Sequence, residues 1–222
     1  MRLLRSFYSL AMTEIGKFVM TIQGNCFLFF WRDTIHEIRD TYQYMEFNKM
    51  IKTILFVCTG NTCRSAMAEG IFKKLLKAKE INKNSYHILS AGISAFPGIS
   101  PTPEAISAAS EQGADISQYK ALQLHEGLVK KADLILVMSH RHEEYIQKKF
   151  PFVQNKVFLI KKYAQKGELK NNQSMDENYE IVDPIGEPLD FYRVVATELR
   201  INLEKIIDGI IKLNNKYGGD IR

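Results

Sequence analysis

The chain has 222 residues, 45% of them apolar, which is one ordinary domain with some excess and enough to bury a real core. Its net charge of +5 is a mild excess spread over many lysines; without a dense basic stripe it does not mark a nucleic-acid partner. The three cysteines, Cys26, Cys58 and Cys63, are odd in number and lack C-x2-C spacing, which argues against a disulfide scaffold and against a zinc or other metal site.

Residues 1–49 form an aromatic-rich extension that includes Phe7, Phe18, Phe27, Phe29, Phe30 and Trp31. Its apolar run from Phe18 to Trp31 is broken by Gln23, Gly24 and Asn25 and falls short of the roughly 20 apolar residues of a spanning helix. Glu14 and Lys17 interrupt any signal-peptide core. Three readings stand side by side: an arm lying on a membrane surface or on the following domain, a partner-docking segment, or a stretch outside the working protein, whose domain then starts at Met50.

From Met50 the pattern is regular, and residues 50–217 read as one domain. Thr53–Val57 is a buried strand, and Ser65–Lys79 a helix with Met67, Ala68, Ile71, Phe72, Leu75 and Leu76 at helical spacing and Ser65 as its N-cap. Tyr86–Ser90 is a second strand, ending at Ala91-Gly92. The loop from Ile93 to Pro103 is rich in proline, and Thr102-Pro103 starts a helix closed by Gly113. Leu124–Lys131 reads as a helix and Asp133–Met138 as a strand. Ser139 caps a helix to Lys149, stopped by Pro151, and Val157–Ile160 is the fourth strand. His140 and His142, near the start of that helix, read as solvated. Lys161–Tyr179 is polar and reads as a flexible surface loop; Leu189–Leu213 is a long terminal helix. Strands alternating with helices predict an α/β fold, a parallel sheet covered by helices on both faces, with the functional site at the carboxyl ends of its strands.

Cys58 stands at such an end. Cys58-Thr59-Gly60-Asn61-Thr62-Cys63-Arg64-Ser65 lies between a strand and a helix. Backbone N–H groups of a loop wrapped at a helix N-terminus converge on one point, where the helix dipole adds positive potential. A phosphate fills such a cradle, and Arg64 adds a planar, permanently charged, bidentate partner. The same field favours thiolate over thiol, so a cysteine at the bottom of the cradle reads as a nucleophile aimed at phosphorus. The plainer reading, a buried cysteine at a strand end, would stand ahead if the C-x5-R spacing were the whole signal. The leaving group needs a proton, and Asp183-Pro184, a rigidly held acid after a polar loop, can supply it and then activate water; alone, it would read as a turn aspartate.

The loop, together with Ser90-Ala91-Gly92, the strand Ala132–Met138 and Asp183-Pro184, resembles the low-molecular-weight protein-tyrosine-phosphatase family over about residues 51–213. The resemblance implies a four-stranded parallel sheet between helices and a two-step phosphatase reaction through phosphocysteine, with no metal or cofactor and with phosphorylated proteins as substrates. It implies that Cys58 is the nucleophile, Arg64 the clamp and Asp183 the acid. Thr59, Gly60, Asn61, Thr62, Cys63 and Ser65 then line the phosphate site. Asn61 holds the loop through side-chain hydrogen bonds with Ser90 as partner, and Ser65 donates to the sulfur. Cys63 resembles the family's second loop cysteine, able to trap an oxidised Cys58 as a disulfide; a small filler residue is the plainer alternative. Tyr119 stands where many members have a loop-supporting histidine, and Ala66 replaces a usual proline.

For the substrate, the threonine at 62 is similar to the bacterial protein-arginine phosphatases. Tyrosine-directed members tend to carry an aromatic pair after the acid, where this chain has Ile185-Gly186. Phe96 can form the other wall of the site. Dephosphorylation of phosphoarginine is the leading expectation and of phosphotyrosine the alternative. An arsenate reductase fits less well, since no cysteine follows Cys63 to relay oxidation. A non-catalytic phosphate-binding module is the rival from another class. A reactive thiolate points to the cytoplasm; the oligomeric state stays open.

Overall fold

A computed structural model of the chain describes residues 50–81, 85–165 and 179–218. The expectations placed on residues 1–49, and on the polar loop between 166 and 178, lie outside the described residues.

The sheet has four strands: β1 (Thr53–Cys58), β2 (His87–Gly92), β3 (Leu134–Val137) and β4 (Val157–Leu159). Their spatial order is β2-β1-β3-β4, and every pairing is parallel. The helices are α1 (Arg64–Ala78), α2 (Pro103–Glu111), α3 (Glu126–Lys131), α4 (His140–Lys149), α5 (Ile160–Gln165) and α6 (Leu189–Gly218), with a 3-10 turn at Pro151–Lys156.

β1 is inner and doubly covered, which is why it reads as an unbroken apolar run. Its side chains alternate between two cores. Ile54, Phe56 and Cys58 pack with α1, α2, α5 and α6, including Met67, Ile71, Ala108 and Leu199. Leu55 and Val57 face the other way, with Val129, Ile146, Val153 and Leu159. Strand order reverses beside β1, from β2 on one side to β3 on the other, so the end of β1 is the crevice where open α/β sheets place ligands.

Several boundaries differ from the sequence reading, for local reasons. α1 starts at Arg64, and its cap position is Cys63, which makes no side-chain cap bond. Ser65 does not cap the helix, because its hydroxyl is drawn to Cys58 and Asn61. Ser139 does precede α4, but its hydroxyl bonds the ring of His142 instead of a first-turn N–H. Thr102 caps α2 as expected: its Oγ1 accepts from Ala105 N at 3.2 Å, ahead of Pro103. The start of the predicted loop at Lys161 is helical, as part of α5, and α6 continues to Gly218.

The last turns of α6 close the domain onto its first residues. Buried Asn214 accepts from Ile51 N at 2.9 Å and donates to Ile51 O at 2.8 Å and to the Tyr86 hydroxyl at 3.0 Å. Asn214→Ala would strand two backbone groups and a phenol. Each buried polar group left without a partner costs about 1–3 kcal/mol, so urea unfolding should show a loss of about 3 kcal/mol with little change in m-value.

Candidate active site

The chain must turn sharply from the end of β1 into α1. Asn61 takes the left-handed conformation at the turn, with φ of 58°. That conformation strains most side chains, but asparagine tolerates it when its amide bonds locally. Here both amide ends are used. Asn61 Nδ2 donates to Ser65 Oγ and to Ser90 Oγ, each at 2.8 Å, and Asn61 Oδ1 accepts from Leu122 N at 2.8 Å.

These bonds give the neighbouring hydroxyls a direction. Ser65 Oγ accepts from Asn61, and its proton can go to Cys58 Sγ, 2.9 Å away, or to Ala91 O at 3.5 Å. Ser90 Oγ likewise accepts from Asn61 and donates to Glu69 Oε2 at 2.6 Å. Glu69, nearly buried, is balanced by Lys73. The sulfur receives a second donor, the Asn61 N–H at 3.2 Å. The N–H groups of Gly60, Thr62 and Cys63 have no acceptor among the described residues. Loop donors and a helix N-terminus thus surround Cys58, an arrangement that suits a tetrahedral oxyanion and a thiolate.

Gly92 permits this closeness. A Cβ there would lie 2.5 Å from Thr59 O and 2.9 Å from Asn61 N. The end of β2 could not otherwise lie against the loop, which Ile93 N and Ser94 N grip by donating to Cys58 O and Thr59 O.

Arg64 is buried and reaches out of α1 to the segment before α6. Its Nη1 donates to Ile181 O at 3.2 Å, and its Nη2 pairs with Asp183 Oδ2. Asp183 is itself 43% exposed and so open to a ligand. Its other oxygen accepts from Ile185 N at 3.3 Å, and Ile181 N donates to Met138 O at 2.8 Å, anchoring the acid segment at the end of β3. Thr62 is half-buried, and its Oγ1 would lie 3.4 Å from a Cβ at Gly60, so it leans over the loop. Cys63 is buried with its sulfur 3.7 Å from the Thr102 hydroxyl and 3.6 Å from that of Tyr192. Burial pushes the Tyr192 phenol up to about 12. Phe96 and Ile185 are exposed.

Tyr119 stands one step back from the loop. It holds the Lys73 ammonium over its ring, 5.1 Å from the centroid, and reaches the loop through Glu69 and Ser90. Among the expected site residues, Cys58, Asn61, Ser65 and Ser90 form one bonded network, and Arg64 joins Asp183. Phe96 stands in solvent.

One correction concerns His142. It is not solvated: His140 is exposed, but His142 is buried, with Nδ1 2.8 Å from the Ser139 hydroxyl and Nε2 2.9 Å from the Thr59 hydroxyl. An i, i+2 pair of histidines at a helix start does not tell which faces inward. The ring's partner, Thr59, lies 83 residues earlier in the chain, so no local pattern points to it. Glu69, Thr102 and Tyr192 escaped the sequence reading in the same way, since each meets the loop through tertiary packing.

Residues 53–216 match the family described as low molecular weight phosphotyrosine protein phosphatase. A protein-arginine-phosphatase of Bacillus subtilis is 35% identical over 153 residues, 69% of this chain and 93% of that protein. A probable low molecular weight protein-tyrosine-phosphatase of Ralstonia nicotianae is 36% identical over 161 residues, 72% of this chain and 92% of its own. A solved mutant of the arginine phosphatase YwlE, with a phosphorylated active-site serine, superposes with a TM-score of 0.63 at 31% identity, covering 77% of this chain and 99% of its own.

Burial first, and then the Arg64 charge, lowers the His142 imidazole from 6.5 to about 4. The unfolded chain therefore takes up a proton at this residue below about pH 6.5, while the folded chain does so only near 4. Unfolding is coupled to proton uptake between those values. The contribution is complete above pH 6.5 and is lost as pH falls toward 4, by about 3 kcal/mol at most. Denaturant curves at pH 7, 6, 5 and 4 should show that decline, and His142→Gln should flatten the part that His142 causes.

Proposed function

The chain belongs to the low molecular weight phosphotyrosine protein phosphatase family, and within it we propose that it hydrolyses phosphoarginine in proteins, with Cys58 as nucleophile, Arg64 as phosphate clamp and Asp183 as the acid. It is a protein phosphatase, and its relatives include both arginine-directed and tyrosine-directed enzymes at similar identity. The observation that carries the residue assignment is the sulfur held between two donors, the Ser65 hydroxyl at 2.9 Å and the Asn61 N–H at 3.2 Å, at the mouth of a helix.

The reaction runs in two displacements. Phosphate oxygens enter the loop, and Arg64 turns two guanidinium N–H groups toward them. The Cys58 thiolate attacks phosphorus; an S–P bond forms as the P–N bond to the arginine guanidine breaks. Asp183 gives its proton to the departing nitrogen, which leaves as part of an ordinary guanidinium. Asp183, now a carboxylate, takes a proton from water, and the oxygen attacks the phosphocysteine. The S–P bond breaks, phosphate departs, and the Ser65 hydroxyl stabilises the returning thiolate. Asp183 is then protonated again, ready for the next turnover. The phosphorylated active-site serine of the solved relative supports the covalent route.

Thr62 supports arginine as the substrate residue. A β-branched, hydroxyl-bearing side chain leaning over the loop narrows the pocket and offers a hydrogen bond to attacking water. Ile185 and Gly186, with the glycine at φ of 82°, give no flat wall after the acid for a phenyl ring to stack on. Phosphotyrosine is the second reading, and the observation favouring it is Phe96, 74% exposed and available as an aromatic wall. The buried second loop cysteine supports sensitivity to oxidation, and a nucleophile that must stay reduced supports a cytoplasmic setting.

Two measurements test this. The first compares kcat/KM on peptides carrying phosphoarginine and phosphotyrosine. Phosphoarginine should be preferred, with the preference lost or reversed in Thr62→Ile; a wild-type preference for phosphotyrosine would overturn the arginine assignment. The second examines the catalytic residues. Cys58→Ser should abolish turnover, and Asp183→Asn should lower kcat by about 10²–10⁴-fold for poor leaving groups, less for an activated aryl phosphate.

A further inference from the structure

β1 is flanked on both sides, so the loop after it passes between the end of β2 and the end of β3. On the β2 side it is fastened by the Asn61–Ser90 bond, by Leu122 N, and by the grip of Ile93 and Ser94 on the backbone carbonyls of Cys58 and Thr59. On the β3 side the loop meets His142. The imidazole lies in the first turn of α4, 2% exposed, and bridges Ser139 at the exit of β3 to Thr59, the residue after Cys58.

The ring is suited to a fixed, uncharged strut. Both nitrogens face hydroxyls, and each hydroxyl can donate or accept, so either neutral tautomer is satisfied at both ends. Burial and the nearby Arg64 guanidinium keep the ring neutral at physiological pH, so it adds no charge to compete with Arg64 for Asp183 or for phosphate. The segment it holds is the one that most needs holding. Thr59 is followed by Gly60, where a Cβ would meet only Thr62 Oγ1, and the Gly60 N–H has no acceptor among the described residues. Its direction is set by the Thr59 backbone, which the His142 bond restrains through the side chain.

We propose that His142 is a positioning residue for the phosphate cradle: by holding the Thr59 hydroxyl it fixes the first peptides of the loop and aims the Gly60 N–H at the bound phosphoryl group. The proposal rests on the phosphatase reading of the site. The Asn61 network and the His142 strut then act as a two-sided clamp, one side tied to β2 and the other to β3 and α4. Loss of the β3 side loosens anion binding and the geometry of attack together, since both depend on the same N–H directions.

The test uses full-length protein with His142→Leu, His142→Asn, His142→Gln and Thr59→Val, and the double variant Thr59→Val/His142→Leu. Thermal unfolding confirms that each is folded at the assay temperature. The amide of glutamine reaches the position of Nε2, whereas that of asparagine reaches only Nδ1. Two quantities are read: the dissociation constant for inorganic phosphate by direct titration at pH 7, and kcat and KM on a phosphorylated peptide. His142→Leu and His142→Asn should weaken phosphate binding and lower kcat, each by about tenfold. Glutamine should restore most of both. Thr59→Val should reproduce the loss, and the double variant should be no worse than either single one. Folded His142→Leu protein within twofold of wild type in phosphate affinity and kcat would overturn the proposal. So would equal losses for asparagine and glutamine, or losses at 59 and 142 that simply multiply, because these mark packing and not the bond to Thr59. Wild-type protein that binds phosphate but turns over no substrate would overturn the phosphatase reading, while the phosphate titrations would still decide the role of His142.

Discussion

Everything in this domain is arranged around a sulfur atom held at a helix mouth. The backbone cannot close so tight a loop at no cost: Asn61 must adopt a positive φ, and donors must be turned inward, away from carbonyl partners. The neighbouring structure offsets that cost. One asparagine amide serves three partners, two serines pass their protons onward, and a nearly buried glutamate accepts at the end of the path, balanced by a lysine. Because Ser65 Oγ accepts from Asn61, its proton is left to face Cys58 Sγ and the Ala91 carbonyl.

The second constraint is the way the acid is brought to the loop. Asp183 lies 119 residues beyond Arg64, yet the two are paired, because Ile181 docks on the end of β3 and its carbonyl receives Arg64. The segment is tethered beside the Cys58–Arg64 loop while the carboxyl remains partly open to solvent. In the proposed reaction phosphate would take the place of that carboxylate on the arginine, offering the same pair of oxygens with more charge.

Much of this was legible in advance because it is local. The apolar strand, the cysteine-to-arginine spacing, the serine-alanine-glycine ending of β2 and the aspartate-proline pair each state a chemical requirement within a few residues. Most element boundaries were legible to within a residue or two, the end of α6 being the exception, and at two helix starts the expected cap bond is missing for one reason. Ser65 and Ser139 both look like caps, and each spends its hydroxyl on a functional contact, one on Cys58 and the other on His142. A side chain has few bonds to give, and local rules cannot know that a distant partner will claim them. The polar run from Lys161 misled in a similar way. Its polarity suggested a loop, but Ile160, Ala164 and the half-buried Tyr163 face the core and Lys161 pairs with Glu198 of α6, which holds α5 as a helix.

The sequence alone determined the parallel α/β architecture and the cysteine-to-arginine loop between β1 and α1, because hydrophobic period, turn chemistry and residue type are written along the chain. Tertiary structure alone decided which side chains complete the loop from outside. His142 and not His140 faces inward, Tyr192 and Thr102 flank Cys63, and Glu69 ends the hydrogen-bond path from Asn61. Those choices depend on how β3, α4, α2 and α6 pack around the end of β1. Packing brings together residues tens of positions apart, and no spacing in the sequence records such a meeting.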